Sequence, residues 1–123
     1  MNFSTKPPTL IPEFTNTNSI GESIQNFFSK AKVVKTLNTL AMALAVNPKQ
    51  LNNGDHSLFV AGNDENAKTK TITILTEFGW NIENIIDIGN IKAARAMEAY
   101  LLLFVSMSMS IKVPMFNLKI IKS

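Results

Sequence analysis

Three observations predict an α/β fold of alternating strand and helix. Short apolar runs at 32–37 and 57–61 each end in a polar turn. A segment of helical periodicity follows each run, and glycine or proline marks nearly every junction. The fold so predicted is the second half of a doubly wound sheet, with helices on both faces. A long C-terminal packing helix and a final edge strand complete it. Alternating units of this kind usually open with a first strand and a Gly-rich phosphate loop, yet no G-x-G-x-x-G occurs anywhere in the sequence.

Size and composition narrow the classes. The 123 residues make one domain, 46% hydrophobic and 17% charged, in the range of chains that bury a core. The net charge of +3 comes from basic residues scattered along the chain, without the dense run of a nucleic-acid or membrane-surface patch. No nucleic-acid or membrane partner is therefore expected. The sequence has no cysteine, which removes disulfides, thiolate metal sites and a Cys nucleophile. The N-terminus lacks an apolar signal core, and the apolar run from about 99 to 109 is shorter than the ~20 residues that span a bilayer. A cytoplasmic location is expected.

The elements follow in order. Residues 1–17 carry Pro7, Pro8 and Pro12 and predict an extended loop, with 18–123 forming the domain proper. Ser19-Ile20-Gly21-Glu22 matches a capping box, so a helix of about ten residues starts there, with Ile20, Ile24, Phe27 and Phe28 inward. The strand at 32–37 leads into a short Ala/Leu/Met helix that Asn47-Pro48 stops. A second buried strand at 57–61 ends at Gly62-Asn63-Asp64, with Asp64 as the next helix cap. In that helix Ala67, Thr71, Ile74, Leu75 and Phe78 recur at helical spacing, and Gly79 closes it. A third strand occupies 81–88, and a long helix runs from about Ile91 to Ser110. Residues 116–121 alternate like an edge strand.

No complete catalytic constellation can be assembled. His56, the one histidine, reads as a solvated loop residue, and no metal site is predicted. Glu83 and Asp87 read as surface carboxylates, Lys35 as a snorkelling side chain, and Arg95 with Glu98 as a helix-face pair. In open parallel sheets ligands bind beyond the carboxyl ends of strands. That rule selects Asn38-Thr39, Gly62-Asn63-Asp64 and Gly89-Asn90. For the last two groups capping and turn geometry is the better reading. Asn38 and Thr39 suit uncharged hydrogen bonding to a carboxamide, equally with a turn role.

Three segments then resemble a known family. Ala31-Lys32-Val33-Val34-Lys35-Thr36-Leu37-Asn38-Thr39 is similar to the "A-K-V-V-K-A-F-N-T" segment of the deazaflavin-dependent NADP oxidoreductase-like proteins. Phe59-Val60-Ala61-Gly62-Asn63-Asp64 resembles their "F-V-C-G-D-D" strand end. Gly89-Asn90-Ile91-Lys92-Ala93-Ala94-Arg95-Ala96-Met97-Glu98 resembles their "G-P-L-x-x-A-R-x-L-E" helix start. Order and spacing agree across about residues 4–121.

The resemblance implies part of a Rossmann-like three-layer sandwich that begins after the fourth strand, with 32–39 as the fifth. Complete members bind NADP(H) and pass a hydride to or from a deazaflavin or flavin acceptor. Ser4-Thr5-Lys6-Pro7 is similar to the family's "A-T-N-P" turn beside the nicotinamide, with Lys6 in place of Asn. The implied cofactor-binding residues are Thr5, Pro7, Asn38 and Thr39. Lacking the phosphate loop, the chain alone is expected to bind NADP weakly or not at all. The alternative is a non-catalytic assembly module, homodimeric through the apolar helix at 91–110.

Overall fold

The computed structural model describes residues 9–123. Thr5 and Pro7, with the turn they belong to, lie outside the described residues. The elements, in order, are α1 (Ile20–Phe27), β1 (Val34–Lys35), α2 (Met42–Ala45), β2 (Leu58–Gly62), α3 (Glu65–Glu77), β3 (Ile85–Asp87) and α4 (Ala94–Ile111). Short 3-10 turns join them, and Pro12–Phe14 forms one where an extended loop was expected. This is the mixed α/β architecture with a long C-terminal helix that the alternation predicted.

The sheet has three strands in the order β1-β2-β3. β3 runs parallel to β2, with Leu58 opposite Ile85 and Val60 opposite Asp87. β1 departs from expectation. It is two residues long and antiparallel to β2, with Val34 opposite Gly62 and Lys35 opposite Ala61. The Thr36 hydroxyl donates to the Phe59 carbonyl at 2.8 Å, prolonging the contact without a regular ladder. The turn after β1 is thus carried away from the carboxyl ends of β2 and β3.

Gly62 is where the two strands cross closely. A Cβ there would lie 2.8 Å from the Val33 carbonyl oxygen. Only glycine fits that approach.

Local signals hold at the helix starts. The Ser19 hydroxyl accepts from the Glu22 backbone N–H at 3.0 Å, and an Asp64 carboxylate oxygen accepts from Ala67 at 2.8 Å. Gly79 takes φ +107 after α3. The core gathers Leu40, Leu44, Leu58, Val60, Leu75 and Trp80 between α2, β2 and α3. Trp80 Nε1 donates to the Ala45 carbonyl at 2.8 Å, so the ring is buried with its one donor satisfied.

His56 corrects the sequence reading. It is buried against Trp80, ring centroids 4.9 Å apart at 70°. Its Nε2 lies 2.8 Å from the Pro48 carbonyl, and its Nδ1 2.8 Å from Asn117 Nδ2. The carbonyl can only accept and the Asn117 amide nitrogen can only donate, so Nε2 is the donor and Nδ1 the acceptor of the ring. The polar sequence around it conceals a packing role.

The tail at 116–121 forms no regular strand. It is held by scattered hydrogen bonds to Ser57 instead. Ser57 N donates to the Leu118 carbonyl at 2.8 Å, and Ile120 N donates to the Ser57 hydroxyl at 2.9 Å. Phe116, Asn117 and Leu118 are half-buried, while Ile120 and Ile121 are exposed.

The covered faces of α3 and α1 differ in how far they follow the spacing. In α3, Ala67, Thr71 and Leu75 of the periodic set lie on the covered side with Lys68 and Ile72, while Ile74 and Phe78 are exposed. In α1 the covered residues are Gly21 and Glu22, and Ile20, Ile24, Phe27 and Phe28 are exposed. Helical spacing identifies residues that share a face but not the neighbour that covers it.

Candidate functional site

The site is built where α4 meets the turn after β1. Arg95 does not pair with Glu98. It crosses to α1, its Nη2 2.6 Å from one Glu22 carboxylate oxygen and its Nε 2.9 Å from the other. The Arg95 hydrogen bonds hold the Glu22 carboxyl below the ordinary range against the opposing effect of burial, and the Ser19 hydroxyl contributes. Glu98 reaches the first N–H groups of α1, 2.7 Å from Ile20 and 3.0 Å from Gly21. Lys35, expected to snorkel, lies 3.4 Å from the same carboxylate. Two neighbouring charges of α4 thereby fix α1 and β1 around its first turns.

Asp87 is likewise not a free surface carboxylate. It lies 2.9 Å from the buried Lys68 ammonium and accepts the Gly89 N–H at 2.9 Å. Burial raises its pKa, but Lys68 and the Gly89 N–H outweigh that and leave it lowered. The Asp87 hydrogen bond raises Lys68 in turn, with Glu65 assisting at 3.1 Å. Asn63 Oδ1 accepts from Ile91 N at 2.9 Å, Asp64 caps α3, and Asn90 Oδ1 accepts from Lys92 N at 3.0 Å. Both strand-end groups are therefore occupied by capping, as the sequence suggested.

Asn38 and Thr39 stand apart from these. Leu37, just before them, takes φ +63, a left-handed conformation that is costly for a bulky residue. That turn presses Asn38 against α4, where its Nδ2 donates to the Met97 carbonyl at 2.8 Å. The Asn38 Oδ1 is buried and has no partner among the described residues. Thr39 is buried and lines a cavity of about 250 Å³ together with Phe59, Ile88, Met97, Tyr100 and Leu118.

Tyr100 was not singled out by the sequence, although it is the one tyrosine and sits in an otherwise apolar helix. Its hydroxyl is buried without a partner among the described residues, and burial raises its pKa. Phe59 and Ile88 were also missed, since only the folded sheet brings them to Thr39.

The cavity is open to one side, and an apolar void of ~150 Å³ already holds one benzene, so it has room for a one- or two-ring group within it. The buried Asn38 Oδ1 is an acceptor outside this lining. No group of His, Asp and Glu with metal-holding geometry occurs among the described residues.

No protein-family model matches the chain, and no curated protein matches it. A solved structure does. The chain is 43% identical over 98% of its length, with a TM-score of 0.90, to a "putative f420 dependent nadp-reductase" from Arthrobacter sp. FB24. It spans only 53% of that neighbour's chain. Over the matched part, the fold and the resemblance agree on a partial Rossmann-like domain.

Ile91–Ile111, which includes the turn leading into α4, is 21 residues long and apolar enough by length and composition to cross a membrane, and extends beyond the most apolar run at about 99–109. Arg95 and Glu98, both paired with α1 or β1, tie the start of this helix to the α/β body.

Proposed function

We propose that the chain supplies the acceptor-side half of an NADP-dependent oxidoreductase, with Asn38 and Thr39 beside the reacting rings. The observation that carries the reading is the cavity lined by Thr39, the residue after Asn38, in a chain 43% identical to the Arthrobacter protein. NADPH would supply the hydride, and a deazaflavin or flavin would receive it. Asn38 would accept the carboxamide N–H of the nicotinamide, and Thr39 would flank the ring edge. Thr5 and Pro7 are assigned to the same crevice by resemblance alone. No Gly-rich phosphate loop occurs in the sequence, so pyrophosphate affinity is weak. A cytoplasmic location accords with that chemistry.

Calorimetric titration with NADPH tests this reading. Heats that do not saturate below the millimolar range are expected for the chain alone. Tight, saturable binding would contradict the assignment of phosphate affinity to a loop that this sequence does not carry.

A second reading is favoured by a different observation. Leu103, Met109 and Ile111 are exposed around α4, apolar surface suited to self-association as a homodimer. Light scattering of the wild type and Leu103→Glu distinguishes the two. A dimer dissociated by the substitution supports an assembly role, and a monomer in both removes it.

A further inference from the structure

Leu118 stands in the wall of the cavity, although the tail that carries it forms no regular strand. The contacts that keep it there converge on Asn117. Its Nδ2 lies 2.8 Å from His56 Nδ1 and 2.8 Å from the Ser57 carbonyl oxygen. The carbonyl can only accept, so the amide nitrogen is fixed on that side and Oδ1 faces away. That Oδ1 is buried and has no partner among the described residues. One amide nitrogen therefore serves two acceptors, and one of them is an imidazole nitrogen.

This arrangement works only while Nδ1 is bare. Nε2 faces the Pro48 carbonyl at 2.8 Å, which fixes the ring hydrogen there. Imidazole is the side chain that changes charge between pH 5 and 8. A proton on Nδ1 turns the acceptor into a donor that meets the Asn117 donor directly. Turning the amide over would offer Oδ1 to the new N–H, but would set the same oxygen against the Ser57 carbonyl. Either way the tail loses a hydrogen bond in a buried setting, where an unpaired group is costly.

Charged neighbours do not offset that loss. Asp55, beside His56 in sequence, is paired with Lys119 of the tail. Lys49, next to Pro48, is exposed, as are Glu77 and Glu83 on either side of Trp80. None of the ion pairs among the described residues includes His56.

We propose that His56 and Asn117 form a proton-sensitive latch that positions Leu118 in the wall of the cavity. With Nδ1 bare, Asn117 ties the tail to Ser57 and the apolar wall is complete. Proton uptake releases Asn117, the tail loosens from Ser57, and the cavity opens on that side. The consequence for hydride transfer rests on the function proposed above; the latch itself does not.

NMR of the full chain at pH 8 and pH 5 tests the latch without any cofactor. This window brackets imidazole titration and lies above that of the Glu22 carboxyl. Between the two values, protection of the Ser57 and Ile120 amides against hydrogen exchange should fall about tenfold or more. The Leu118 methyl resonances should move as their packing against Phe59 and Tyr100 loosens. The Ile88 amide, bonded to the Val60 carbonyl at 3.0 Å, should keep its protection. Asn117→Ala, outside the core cluster, should show weak protection of Ser57 and Ile120 at both values. The ring ¹⁵N shifts of the wild type give a second measurement that needs no variant, with Nδ1 unprotonated at pH 8. Equal protection at the two values, a protonated Nδ1 at pH 8, or an undiminished pH response in Asn117→Ala overturns the proposal. Failure to bind NADPH removes the cofactor reading and leaves the latch intact.

Discussion

The Glu98 carboxylate of α4 caps Gly21 of α1, accepting its N–H at 3.0 Å and that of Ile20 at 2.7 Å. A helix start buried at residue 21 would otherwise leave two donors unpaired. The caps seen in sequence, such as Ser19, come from neighbours along the chain. This one arrives from 77 residues away. Its removal leaves the N–H groups unsatisfied and Lys35 without its partner. Glu98→Ala should lower stability by about 2–4 kcal/mol in urea denaturation, and Glu98→Gln by about half as much. Equal, near-zero effects would show that water replaces the carboxylate.

The Glu22–Arg95 pair makes stability depend on acid. The folded-state pKa of Glu22 is lowered from its ordinary 4.5, chiefly by the Arg95 hydrogen bonds. A depressed carboxyl contributes stability that is complete above the ordinary value and is lost as pH falls through the folded value. The urea midpoint should therefore be flat from pH 7 to about 5 and fall below 4.5. Arg95→Gln should show a smaller loss between pH 5 and 3 than the wild type. An unchanged acid slope in the variant would remove Glu22 from the account.

Gly62 is fixed by contact rather than by backbone angle. Because an added Cβ would meet the Val33 backbone oxygen at 2.8 Å, Gly62→Ala must separate β1 from β2. A cost of about 1–3 kcal/mol is expected, read as a lower thermal midpoint. Faster exchange of the amides paired across β1 and β2 should accompany it.

Much of the fold was legible because its signals are local. Ser19, Asp64 and Gly79 mark helix ends by chemistry that operates within a few residues. The two parallel strands were legible as apolar runs bounded by turns. What escaped depends on which elements meet. Nothing near His56 in sequence announces Trp80 or Pro48, and the alternation at 116–121 is shared by strands and by segments that side chains hold. Spacing identifies the α1 stripe, but the side of the helix that α4 covers is the one carrying Gly21 and Glu22. At the site, position selects Asn38 and Thr39 by a rule that assumes a parallel β1, which the structure replaces with an antiparallel one. They remain of interest for a different reason, the Leu37 turn that buries Asn38 against α4 and sets Thr39 in the wall of a cavity.

Tyr100 separates stability from function. Its hydroxyl is buried without a partner among the described residues, an arrangement that costs free energy unless another group supplies the missing bond. Tyr100→Phe should leave stability unchanged or raise it by about 1 kcal/mol, measured by thermal melting. A loss of 2 kcal/mol or more would mean that the hydroxyl has a structural partner.

The central claim is that Asn38 and Thr39 face the nicotinamide, and side-chain amide NMR addresses it directly. With ¹⁵N-labelled protein titrated with nicotinamide mononucleotide, the Asn38 Nδ2 protons and the Thr39 amide should shift progressively at millimolar ligand. Trp80, enclosed in the core, should not. Shifts confined to Gln25, Asn63 and Asp64, with Asn38 unmoved, would place the ligand in the polar groove between α1 and α3 and contradict the account.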